Sequence, residues 1–196
     1  MDGATVIPEM MNNFTFDPIF STGSTTVGKI IYKMAAERLV PVTLELCGKS
    51  PCIVEADANI KVAAKRIAFA KFSNAGQMCV APDYVLVHES KKEELIAEFK
   101  KALAGFFGND AATSYEYGRI INEKQFDRLT GYLQEGRIVS GGKTDKSKLY
   151  IEPTILENVS LDSAIMKDEI FGPILPVIPF DKVEDAKSII ARNPNP

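Results

Sequence analysis

Apolar and polar positions alternate along this chain with two periods, and the periods take turns. After the β-like run Asp17-Pro18-Ile19-Phe20 and a turn at Gly23, the spacing of Val27, Ile30, Ile31 and Met34 predicts a helix with those residues on one face. Pro41 precedes an alternating run, Val42 to Leu46, and Cys52 to Val54 continue in β character. Residues Ile60 to Phe72 read as a helix with Ile60, Ala63, Ala64 and Ile67 inward, and Tyr84 to Val87 as a strand. Ser90 and Glu93 have the spacing of a capping box, opening a helix that buries Leu95, Ile96, Phe99, Ala102 and Leu103. Asn122 to Leu133 is a further helix, Arg137 to Ser140 and Tyr150 to Leu156 are strands, and Asp181 and Glu184 cap a last helix through Ala191. Gly108 to Ser114 and the region of Gly141 to Lys148 read as loops. This alternation predicts an α/β fold with a largely parallel sheet flanked by helices.

Composition narrows the classes without choosing among them. The chain has 196 residues, 45% hydrophobic and 25% charged, which suffices for a buried core. A net charge of -3 does not suit a nucleic-acid binder, and no apolar run approaches a membrane span. Met1 to Met11 lack the basic-then-apolar pattern of a secretory signal. Three cysteines and one histidine argue against a disulfide framework and against a metal site, so a cytoplasmic setting is expected. Both ends of the chain read as cuts through a larger protein.

Four motifs could carry chemistry. Gly23-Ser24-Thr25-Thr26-Val27-Gly28 stands between a strand and a helix, where unpaired N–H groups and the helix dipole attract phosphate. Alone, a glycine turn with a Ser or Thr cap is its commoner meaning. Asn74-Ala75-Gly76-Gln77-Met78-Cys79 places a cysteine after a tight turn, as a nucleophile in a cleft requires, although a single cysteine is more often structural. Cys47 and Cys52, in β-rich surroundings, are expected in the core. In Leu44-Glu45-Leu46-Cys47-Gly48-Lys49, Glu45 is either a buried base with a raised pKa or, at even odds, turned to solvent by strand alternation. Glu169-Ile170-Phe171-Gly172-Pro173 taken alone is a loop acid with a core phenylalanine. His88 lies in a predicted strand, which leaves no Cys-His arrangement for a protease.

In this order the four motifs resemble the aldehyde dehydrogenase superfamily, from about Phe16 to the last residue, and most closely its class 3 and fatty-aldehyde branch. The resemblance implies a catalytic-domain-like fold, with residues 1–45 a remnant of the cofactor-binding domain and residues 46–196 an incomplete catalytic domain. It implies NAD or NADP as cofactor and an aldehyde as substrate. Cys79 is then the nucleophile, its backbone N–H an oxyanion donor, and Glu45 the base that activates water, a role Glu169 could share. Gly23, Ser24 and Gly28 would meet the pyrophosphate side of the cofactor, with Leu46, Glu169 and Phe171 beside the nicotinamide and its ribose. Two departures stand out: Cys47-Gly48-Lys49 replaces the usual Gly-Gly-Lys, and Ser21 replaces a bulky residue, which is expected to loosen packing. The family's second oxyanion donor, its adenosine-ribose lysine and its C-terminal oligomerisation arm fall outside the chain. The parent enzyme is expected to be a homo-oligomer and the isolated chain weak or inactive. A non-catalytic nucleotide-binding or scaffold piece of the same fold is the alternative, and cofactor-free ester hydrolysis through Cys79 a third.

Overall fold

The computed structural model describes residues 3–193 and divides into two compact units, residues 1–47 and 48–196. In the first unit, helix α1 (Gly3–Asn13) precedes strand β1 (Ile19–Thr22), helix α2 (Thr25–Ala36) and strand β2 (Val42–Glu45). β1 and β2 pair in parallel, Ile19 opposite Val42 and Thr22 opposite Glu45. α1 was not anticipated; its Met11 joins Ile31 and Ala35 in a small core. The face that α2 buries differs from the expected one: Gly28, Ile31 and Ala35 are inward, whereas Val27 and Ile30 are exposed. The cause is Gly28, where any Cβ would strike the Leu46 side chain, so small residues set the packing stripe. Ser21 is half-buried and borders an apolar cleft of about 300 Å³ that Ile7, Met11 and Phe16 also line.

The second unit is a five-stranded sheet of order β3-β4-β9-β8-β5, formed by β3 (Pro51–Val54), β4 (Tyr84–His88), β5 (Arg137–Ser140), β8 (Thr154–Glu157) and β9 (Ile174–Phe180). Its first four strands in that order are parallel, and β5 runs antiparallel to β8. β6 (Thr144–Asp145) and β7 (Tyr150–Ile151) form a separate short ribbon. The expected strand Tyr150 to Leu156 is therefore two, broken at Glu152-Pro153 because Pro153 has no N–H for a ladder. Part of the expected loop before it carries β6.

Strand alternation sends Val85 and Val87 to one face, with Leu175 and Val177, and Tyr84 and Leu86 to the other, with Ile174 and Ile178. The first face is covered by α3 (Ile60–Phe72) and α4 (Lys92–Phe107) through Ile67, Phe72, Leu95 and Phe99. The second is covered by α5 (Glu123–Tyr132) and α6 (Val183–Ile190) through Phe126, Leu129 and Ala186. The fold is thus α/β with a largely parallel sheet between helices, as the residue pattern predicts.

Asn59 caps α3 and Asn122 caps α5, each accepting from the N–H three residues on. The capping box expected at Ser90 is not formed. A 3-10 turn (Glu89–Lys91) intervenes, His88 Nδ1 takes the Ser90 N–H, and α4 starts after Lys91 with no side-chain cap. The last cap falls one residue later than expected, the Lys182 N–H donating to Asp185 at 3.0 Å.

Gly105 lies exposed within α4 with nothing near its missing Cβ. Gly105→Ala should therefore raise unfolding free energy by about 0.5–1 kcal/mol, measured by urea denaturation. A loss of stability would show that the α4 surface is not open there.

Candidate active site

In the first unit Gly23, Ser24, Gly28 and Leu46 lie around the start of α2. Gly23 follows β1 and donates its N–H to the Glu45 carbonyl at 3.0 Å, extending the β1–β2 ladder by one step. Ser24 caps α2, its hydroxyl accepting from Val27 N–H at 3.3 Å. Gly28, one turn later, sits against Leu46. The open space at Gly23, where a Cβ would meet nothing within 4 Å, leaves the α2 N-terminus approachable at the carboxyl ends of two parallel strands. Glu45 ends β2 and is exposed, so strand alternation turns it to solvent despite the apolar run.

In the second unit Cys79 is exposed in a turn just after a left-handed stretch. Asn74, Ala75 and Gly76 all have positive φ, at 49°, 51° and 74°. Two of these carry side chains, a conformation that persists only when its surroundings fix it. The fixing groups are explicit. The Gln77 side-chain amide donates to Arg119 O at 2.9 Å and to Asn74 O at 3.0 Å, and accepts from Ile121 N–H at 3.0 Å. Asn74 returns a bond to the Gln77 carbonyl at 3.1 Å. Gly118 packs against the Asn74–Ala75 backbone, and at Gly76 a Cβ would overlap the Gly172 carbonyl. That last contact joins the cysteine turn to the Glu169–Pro173 segment.

The same segment is held from below by a buried ion pair. Lys49 and Asp83 are 4% and 3% exposed and paired. The Lys49 ammonium also donates to the carbonyls of Ile165 and Asp168, and Asp83 Oδ1 accepts from Ile170 N–H at 2.9 Å. Burial pushes the Lys49 pKa down, with Asp83 opposing. Lys71, in the last turn of α3, is 1% exposed. Burial pushes it down to about 8, opposed by Asp83 and Glu169 and aided by Lys49. Glu169 is half-buried, and Phe171 is 38% exposed with φ 49°.

The sequence reading assigned no role to Gln77 within the cysteine motif and missed the other groups that build this framework: Asp83, Lys71, Arg119 and Arg128. A charged residue between apolar neighbours, as in Ala70-Lys71-Phe72 and Pro82-Asp83-Tyr84, was the available signal. The core placement of Cys47 is corrected: it is exposed, at the end of the first unit, and Cys52 is half-buried. Burial raises the Cys52 pKa. Among the described residues no three His, Cys, Asp or Glu side chains converge as metal ligands, and no helix is long and apolar enough to cross a membrane.

A doubly covered parallel sheet that presents a cysteine on a buttressed turn defines a class of α/β proteins, and comparison with known proteins gives the family. The sequence profile of the aldehyde dehydrogenase family matches residues 1–194, and the chain belongs to that family. It is 50% identical over 198 residues to 4,4'-diaponeurosporen-aldehyde dehydrogenase of Staphylococcus aureus, covering 100% of this chain and 43% of that protein. It is 47% identical over 181 residues to the rat aldehyde dehydrogenase called dimeric NADP-preferring, covering 92% of this chain and 40% of the relative. A substrate-bound structure of Staphylococcus aureus AldH superposes with a TM-score of 0.91 at 51% identity, over 95% of this chain and 42% of that one. The chain thus spans about two fifths of the length of these relatives.

Two measurements test this framework. Gly76→Ala adds a Cβ where φ is positive and the Gly172 carbonyl stands, so it should cost roughly 3 kcal/mol in urea denaturation; a neutral result would show that the two segments are not in contact. For Lys71, the folded amine holds its proton less tightly than the unfolded one, whose ordinary value is 10.5. The folded chain releases that proton first as pH rises, so the burial cost is full below pH 8 and relieved between about 8 and 10.5. Relative to Lys71→Met, the native chain should gain about 3 kcal/mol across that window. Parallel pH profiles for the two would show that the amine is not desolvated.

Proposed function

We propose that this chain is the nucleophile-bearing part of an NAD- or NADP-dependent enzyme that oxidises an aldehyde to a carboxylic acid. The carrying observation is the contact between Gly76 and Gly172, which brings the exposed Cys79 turn and the Glu169–Phe171 segment together in one unit. Family membership supports the reaction class, and the name of the rat relative supports a nicotinamide dinucleotide.

In this reading the Cys79 sulfur adds to the aldehyde carbon, and the Cys79 backbone N–H steadies the oxyanion that forms. A bound nicotinamide would accept the hydride. The thioester left on Cys79 is hydrolysed by water whose proton passes to Glu45, and the acid departs with the thiol restored. Gly23, Ser24 and Gly28 would hold the pyrophosphate side of the cofactor. The open Gly23 turn fits such a group, because backbone must approach phosphate without intervening side chains, while the Gly28–Leu46 contact packs the next turn of α2 behind it. Glu169 would hold the nicotinamide ribose, with Phe171 and Leu46 packing beside the ring. The first-unit strands and α2 would then be the end of the cofactor-binding domain, and the second unit the catalytic domain.

The test is site-mapped alkylation with a limiting thiol reagent, with and without NAD or NADP. Cys79 should react first, Cys52 should lag because burial raises its pKa, and cofactor should change the Cys79 rate severalfold. Equal reaction of all three cysteines, indifferent to cofactor, would remove the proposal. Turnover of medium-chain aldehydes by the chain alone should be small, because it spans about two fifths of its relatives; turnover matching an intact relative would refute that.

A further inference from the structure

Ile170 is gripped at both backbone polar groups by charged side chains from different parts of the fold. Its N–H donates to Asp83 at 2.9 Å, and its carbonyl accepts from Arg128 Nη2 at 2.6 Å. Arg128 Nη1 reaches the Glu169 carbonyl at 3.3 Å and the Tyr132 hydroxyl at 3.2 Å. The guanidinium is itself aimed by its own helix: Nε donates to Gln125 at 2.7 Å, and the group lies over the Tyr132 ring at 5.5 Å. Directly after the gripped carbonyl, Phe171 has φ 49°, a left-handed value that a side-chain-bearing residue leaves unless it is held. Gly172 follows with no room for a Cβ beside Leu129, the α5 neighbour of Arg128. Two consecutive α5 residues, Arg128 and Leu129, therefore address residues 169, 170 and 172 of the Glu169–Pro173 segment.

We propose that Arg128 is a positioning residue whose guanidinium fork holds the Glu169 and Ile170 carbonyls and so keeps Phe171 left-handed, fixing where the Glu169 carboxylate and the Phe171 ring are presented. Its use in cofactor binding rests on the reading given above, that these two side chains meet the cofactor. A planar fork suits two adjacent carbonyls and a lysine does not, since an ammonium is a point donor on a flexible stem. Asp83 grips only the N–H side of Ile170, so it does not replace the fork.

Hydrogen exchange read by mass spectrometry on the whole chain tests this. Arg128→Met keeps the aliphatic stem and removes the fork. Exchange in the peptide covering residues 169–172 should rise by about tenfold, with α4 unchanged. Arg128→Lys should fall between the two. Unchanged exchange at 169–172 in a folded Arg128→Met chain overturns the proposal, as does a rise spread equally through α4 in Arg128→Lys, which would mark a general stabilising role. If Arg128→Met unfolds the chain, the Arg128→Lys result decides by the same criteria. The effect of NAD or NADP on Cys79 alkylation is measured in parallel. Local loosening with a weakened cofactor effect supports both the clamp and the cofactor reading. Local loosening with an undiminished cofactor effect keeps the clamp and removes Glu169 and Phe171 from the cofactor site. If alkylation of the native chain ignores cofactor, exchange alone decides the clamp.

Discussion

The Asp83 carboxylate is the point on which the second unit's site depends. One oxygen pairs with the Lys49 ammonium and the other accepts the Ile170 N–H, both out of water. Lys49 extends the tie to the carbonyls of Ile165 and Asp168, and Asp83, the residue before β4, donates its N–H to Ser50 O at 2.8 Å. Three segments far apart in sequence, around residues 49, 83 and 165–170, are thereby fixed to one another. Removing one member of such a buried pair leaves a charge with no partner, at a cost of about 3–5 kcal/mol. An ion pair of this kind adds little net stability over an apolar replacement, but its contacts tie three separate loops together.

On that base the functional loops are kept in conformations they would not choose. Asn74, Ala75 and Phe171 are side-chain-bearing residues with positive φ, and they flank the two ends of the proposed chemistry. Each is held by hydrogen-bonded side chains: the Gln77 amide for the cysteine turn, and Asp83 with Arg128 for the Glu169–Pro173 segment. The contact at Gly76 and Gly172 lets the two strained segments support each other. Such pre-organisation is what a reacting sulfur and a cofactor contact both need, because geometry set before binding costs nothing during the reaction.

A parallel sheet buried on both faces suits this role. Val85 and Val87 face α3 and α4 while Tyr84 and Leu86 face α5 and α6, so β4 is fully enclosed. The turns at the ends of an enclosed strand then inherit a rigid frame. Lys71, like Lys49, is buried at a cost to its charge, and Asp83 and Glu169 oppose that cost.

The sequence by itself determined the local elements, because period and caps are properties of neighbouring residues. α3 spans the expected Ile60 to Phe72, and Asn122 caps α5. The family was legible too, since four motifs in order carry it. Local pattern failed where distant residues decide. β9 is a central strand despite Pro176 and Pro179, because enclosure between β4 and β8 outweighs the missing ladder donors. The buried face of α2 was set by the Gly28–Leu46 contact, and the exposure of Glu45 by the β1–β2 register. The pairing of Lys49 with Asp83 and the reach of Arg128 to residues 169 and 170 join positions 34, 41 and 42 apart. Only the tertiary structure could decide them, since no periodicity relates residues that meet solely because a sheet brings their loops together.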